Sequence, residues 1–95
     1  MSHGLAHTIH RHHHHNGWDN ANKPVTTVAP GETVLFETVD ASGGQFGPQS
    51  TVADLAVLDF DKVNPVTGPV RIDGAEPGDA LIVKIEQFEP SGWGW

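Results

Sequence analysis

Glu37 and Asp40 stand three residues apart in "FETVDASGGQ", at the end of a stretch rich in β-branched residues. On a strand, alternate residues share a face, which puts Glu37 with Leu35 and Val39 on the side expected to meet the core. A buried carboxylate costs several kcal/mol or becomes protonated unless a cation or metal pairs with it. Asp40 falls where the chain opens into Ala41-Ser42-Gly43-Gly44. Glycines there let the backbone approach a ligand closely, and Gln45 adds an amide donor and acceptor. Two such carboxylates can hold a divalent cation, or divide general-base and electrostatic duties between them. The same acids serve structure equally well where they pair with an arginine or cap a turn.

The second chemical feature is "TIHRHHHHNGWDN", which carries five of the seven histidines. An added affinity tag would be uninterrupted and followed by a flexible linker. Here Arg11 breaks the run and Trp18 follows almost at once. In extended conformation His10, His12 and His14 point one way and His13 and His15 the other. An i, i+2 histidine pair can chelate a transition metal through imidazole nitrogens, with Asp19 near enough in sequence to orient a ring. Other machinery is missing from the sequence. No G-x-S-x-G elbow and no cysteine nucleophile occurs, and "NPVTGP" and "GAEPGD" are too rich in proline to cradle a phosphate.

The elements that must position these residues read as strands and turns, because eleven glycines and seven prolines punctuate the chain. Pro30-Gly31 suits the central positions of a type II turn, leading from a strand near Val25–Val28 into one over Val34–Val39. "EPGDALIVK" repeats the device downstream. A short strand near Val70–Asp73 meets a turn at Pro77-Gly78, and a longer strand follows over Ala80–Phe88 with Leu81, Val83 and Ile85 facing the core. Thr51 and Asp54 have capping-box spacing, which allows a short helical piece over Val52–Leu58. The expectation is a mainly β fold, antiparallel and β-sandwich-like, incomplete in this chain. Residues 1–18 form a His-rich arm leading into it, and 19–95 the β-rich body. The closing "EPSGWGW" would leave two tryptophans frayed at a terminus, so a missing part of a longer polypeptide is expected to bury them.

Composition sets the outer limits. Ninety-five residues make one small domain, and a net charge of −7 disfavours DNA and anionic membrane, which are bound through Lys/Arg clusters. No apolar run approaches the roughly 18 residues that span a bilayer, and zero cysteine fits a reducing compartment. A cytoplasmic location is the resulting expectation.

"HHHHNGWDN", "PVTTVAPGETVLFETVDASGGQ", "NPVTGPV", "GAEPGDAL" and "EPSGWGW" occur here in an order and spacing that resemble the N-terminal part of formamidase/acetamidase family amidases. The resemblance implies a hydrolase acting on the carbon–nitrogen bond of short linear amides, yielding a carboxylic acid and ammonia. It also implies a longer, homo-oligomeric enzyme with a small amide substrate. On the same ground Glu37 and Asp40 are the catalytic candidates, and Gln45, by its amide chemistry beside the glycines, is a substrate-binding one. Asp40, His14 and His15 are metal candidates, for a divalent ion with zinc first and no organic cofactor. The later acidic and histidine motifs that would complete a metal site are absent from this chain, so the 95 residues alone are expected to be inactive. A second resemblance, to a small His-rich metal-binding β-sandwich module of the cupredoxin type, lacks the cysteine thiolate that a blue-copper centre needs.

Overall fold

The computed structural model describes residues 5–95, with side chains from His7 onward. The described residues form six short strands: β1 (Leu5–Ile9), β2 (His14–His15), β3 (Thr26–Val28), β4 (Thr33–Phe36), β5 (Val66–Thr67) and β6 (Val70–Ile72). They pair two by two. β1 runs parallel to β4, with Ile9 opposite Phe36 and a bulge between Leu5 and His7. β3 runs parallel to β6, with Val28 opposite Ile72, while β2 and β5 are antiparallel, with His15 opposite Val66. The fold is thus mainly β, but two of its three pairings are parallel. This corrects the expected antiparallel arrangement. Sequence-adjacent strands do not pair here, because β3 and β4 each find partners far along the chain instead of closing a hairpin on Pro30-Gly31.

The turn itself forms as its residues dictate. Gly31 takes φ +87° and the Glu32 amide donates to the Ala29 carbonyl at 3.2 Å. The Glu32 carboxylate reaches back to accept from the Ala29 amide at 2.5 Å, closing the turn from both sides. Pro77-Gly78 repeats this construction: Gly78 takes φ +96°, the Asp79 amide donates to Glu76, and the Asp79 carboxylate accepts from the Glu76 amide. The two turns nevertheless feed unlike segments. The first leads into β4, whereas Ala80–Phe88, after the second, joins no strand pair, contrary to the strand expected there.

Between β4 and β5 the chain makes two 3₁₀ turns, Val52–Val57 and Phe60–Lys62. Asp54 accepts from the Thr51 amide at 2.6 Å, the contact the capping-box spacing anticipated. The core among the described residues is very small. Ile9 and Val28, at 1% and 6% exposure, are its buried apolar side chains, and Ser42 is its buried polar one. Leu81, Val83 and Ile85, expected to face inward, are all exposed. No helix of the described residues is long and apolar enough to cross a membrane.

Candidate functional site

β4 ends at Phe36, and the ladder gives one further bond, from the Glu37 amide to the Ile9 carbonyl at 2.9 Å. The Glu37 carbonyl accepts from the Thr67 hydroxyl at 2.6 Å, tying β5 to the same point. Glu37 is therefore fixed through its backbone where the β1–β4 and β2–β5 pairs meet. Its side chain is exposed, not turned into a core, because the strand stops one residue short of it. The carboxylate accepts from His10 Nδ1 at 3.0 Å and from the Arg11 amide at 3.2 Å. The His10 hydrogen bond, then the Arg11 amide, hold the Glu37 carboxyl below its ordinary value against a smaller opposing effect of desolvation. Ionised, Glu37 can only accept, so a proton lies on His10 Nδ1, and in the neutral ring it is Nε2 that carries the lone pair.

His14 is set up in the same way. Its Nδ1 donates to the Arg11 carbonyl at 2.7 Å, which leaves Nε2 free. The His10 and His12 rings stack with centroids 5.8 Å apart, and His12 and His14 line an open cleft of about 510 Å³ with Arg11, Asn16, Gly43 and Lys62. His15 faces away from His14, as alternation on β2 requires, and its buried Nδ1 has no hydrogen-bond partner.

Asp40 is engaged differently. Oδ2 accepts from the Ser42 amide at 3.0 Å, the Ser42 hydroxyl and the Trp95 indole N–H at 2.9 Å, while Oδ1 accepts from the Gly44 amide at 2.9 Å. Desolvation pushes this carboxyl up, but the Ser42 hydroxyl, the indole and the two amides together outweigh it and hold it below its ordinary value. These bonds shape the Ala41–Gly44 loop and dock the last residue of the chain, whose ring also meets Phe46 edge-on at 5.0 Å. Gln45 is fully occupied as well. Its Nε2 donates to the Ser42 and Asp59 carbonyls, and its Oε1 accepts from the Asp59 amide at 2.8 Å. Gly43 is where the loop touches the second 3₁₀ turn: a Cβ there would overlap the Lys62 carbonyl oxygen.

The candidates therefore divide. Glu37 joins the histidine run, while Asp40 and Gln45 organise the loop beside it. No hydrogen bond among the described residues links Glu37 to Asp40 or brings His14 onto either. Sequence reasoning did not single out His10 as Glu37's partner, because 27 residues separate them and no periodicity reports a contact of that range. Nor do the described residues form a group of three histidines or carboxylates able to hold a metal ion. With four donors on Asp40 and His15 turned away, they do not compose a zinc site by themselves.

Residues 4–95 match the model of the Acetamidase/Formamidase family. Over 84 residues the chain is 34% identical to a formamidase of Methylophilus methylotrophus, covering 85% of this chain and 21% of that protein. It is 32% identical over 91 residues to an acetamidase of Mycolicibacterium smegmatis, covering 85% and 22%. The crystal structure of an acetamidase from Bacillus halodurans superposes with a TM-score of 0.67 at 32% identity, over 76% of this chain and 24% of that one. The chain spans about a fifth of the length of the curated relatives it matches. With the family model matched over nearly its whole length, the chain belongs to the acetamidase/formamidase family.

Proposed function

We propose that this chain supplies part of the active site of an amidase that hydrolyses formamide or acetamide to the carboxylic acid and ammonia. The observation that carries the reading is the family match over residues 4–95, with relatives named formamidase and acetamidase. The geometry adds a division of labour. Glu37, held ionised, orients the His10 imidazole, and His10 Nε2 takes the proton from an attacking water. Water oxygen bonds to the amide carbon, the C–N bond breaks, and the proton passes from the imidazole to the leaving nitrogen as ammonia departs. A carboxylate kept below its ordinary pKa is a poor proton acceptor near neutrality, which favours His10 over Glu37 as the base.

Asp40 and Gln45 shape the loop that flanks the cleft, and through it the surroundings of the bound amide. A divalent ion, zinc first, would polarise the amide carbonyl. His14 Nε2 is the available ligand atom here, and the remaining ligands would come from elsewhere in the family fold. In this reading the whole enzyme is a cytoplasmic homo-oligomer.

The test is ammonia release. The 95-residue chain alone is expected to turn over formamide and acetamide no faster than buffer. Produced together with the part of the Methylophilus formamidase outside the aligned 84 residues, it is expected to release ammonia above either component alone. No release from a complex that has formed would sink the reading.

A further inference from the structure

The solvent-accessible surface of the chain is 7837 Å² for 10.2 kDa. A folded monomer of that mass exposes about 5,300 Å², so roughly 2,500 Å² is surplus. The radius of gyration, 15.8 Å, exceeds the value of about 12 Å for a compact domain of this length. The surplus is not spread evenly. Leu81, Ile82, Val83, Ile85 and Phe88 are 65–93% exposed within nine residues. No main-chain hydrogen bond joins Ala80–Phe88 to any other described segment, although its composition favours a strand and it follows directly on the Pro77-Gly78 turn.

We propose that Ala80–Phe88 is a strand lacking its partner, and that the partner is a β-strand from the body of the family fold lying outside the aligned fifth. One side of a standard interface covers about 800 Å², so the surplus is about three times that and falls in the range of obligate assemblies. The relatives carry roughly four-fifths of their length outside the segment they share with this chain, which is ample to supply the cover. Leu81, Val83 and Ile85 give the segment one apolar face, while Lys84 and Glu86 share the other with Ile82, the pattern of a strand that lays one face on a core. Self-pairing is the weaker alternative, because it would bring together two chains of net charge −7. Recognition combines main-chain ladder bonds with apolar packing against Leu81, Val83 and Ile85.

The inference concerns assembly, not turnover, so a complex without amidase activity would leave it standing. The experiment co-expresses the full 95-residue chain with the Methylophilus formamidase lacking its aligned 84 residues, and reads co-purification and amide hydrogen exchange. The expected result is a one-to-one complex in which amides of 80–88 exchange about a hundredfold more slowly than in the chain alone. Val83→Pro removes a ladder N–H and Ile85→Asp charges the apolar face, and each is expected to weaken the complex at least about tenfold. Protection of the Thr26–Val28 amides reports that the variants keep the β3–β6 pair. Failure to form the complex, unprotected 80–88 amides within it, or a Val83→Pro variant that binds as tightly as the parent would overturn the proposal. So would a homodimer of the chain alone that protects the same amides.

Discussion

Glu37 and Asp40 are both carboxylates held ionised, but what holds them differs in kind. Glu37 faces an imidazole and one amide with its side chain exposed, whereas Asp40 is enclosed by three neighbouring donors and an indole. Their substitutions should therefore separate. In the co-produced amidase, Glu37→Gln leaves His10 with a weaker orienting partner, and kcat is expected to fall about ten- to a hundredfold. His10→Gln removes the base and should lower it by about a hundredfold or more. Both groups are at the surface, so melting temperature should barely move, and parallel rate and thermal measurements check this. Asp40→Asn should do the reverse. It turns an NH₂ toward donors that need an acceptor, costing about 1–3 kcal/mol and releasing the Trp95 indole, which the ¹⁵Nε1 resonance would report. Unchanged stability in Asp40→Asn would mean that those four bonds do not hold the loop.

The pH dependence has its origin in the same shifts. Glu32, Glu37 and Asp40 have folded pKa values below their ordinary values of 4.5, 4.5 and 3.8. Depressed acids contribute stability that is present above the unfolded pKa and lost as pH falls through the folded one. Stability should accordingly be flat for these groups near neutrality and drop below about pH 4. An acid titration followed by circular dichroism tests it, and a loss already complete above about pH 5 would contradict it.

At the scale of elements, the Ala41–Gly44 loop and the Phe60–Lys62 turn meet through backbone, not side chains. Gly43 takes φ +72° with the Lys62 carbonyl where a Cβ would stand. Gly43→Ala therefore combines left-handed strain with an overlap that no rotamer can relieve, and should cost about 2 kcal/mol or more. Gly31→Ala shares the positive φ but has open space around it, so about 1 kcal/mol is expected there. Chemical denaturation of the two variants distinguishes them. Equal losses would show that backbone conformation alone sets the cost.

For the whole molecule, the two buried apolar side chains found among the described residues are too small a core to offset the conformational entropy of a chain this long. The isolated chain should bind a dye such as ANS through Ala80–Phe88 and Trp93, and unfold with low cooperativity. Co-production with the body of the family fold should abolish dye binding and sharpen the transition. A cooperative, dye-free isolated chain would contradict this.

The sequence by itself determined what depends on neighbours a few residues away. Proline and glycine placed both type II-like turns, with Glu32 and Asp79 closing them, and Asp54 back to Thr51 started the 3₁₀ turn. The strands near Val25–Val28, Val34–Val39 and Val70–Asp73 were legible from β-branched runs, and ordered motifs carried the family. Tertiary structure decided pairing and partnership. Two turns of the same chemistry led to different ends, β4 against β1 and an unpaired Ala80–Phe88, because a strand persists only where another backbone takes up its hydrogen bonds. The same reason hid β1, β2 and β5, whose short runs among histidine and proline become strands only against β4 and each other. It also hid the His10–Glu37 pair: alternation assigns a residue to a face, but only the β1–β4 register brings the end of one strand to the end of the other.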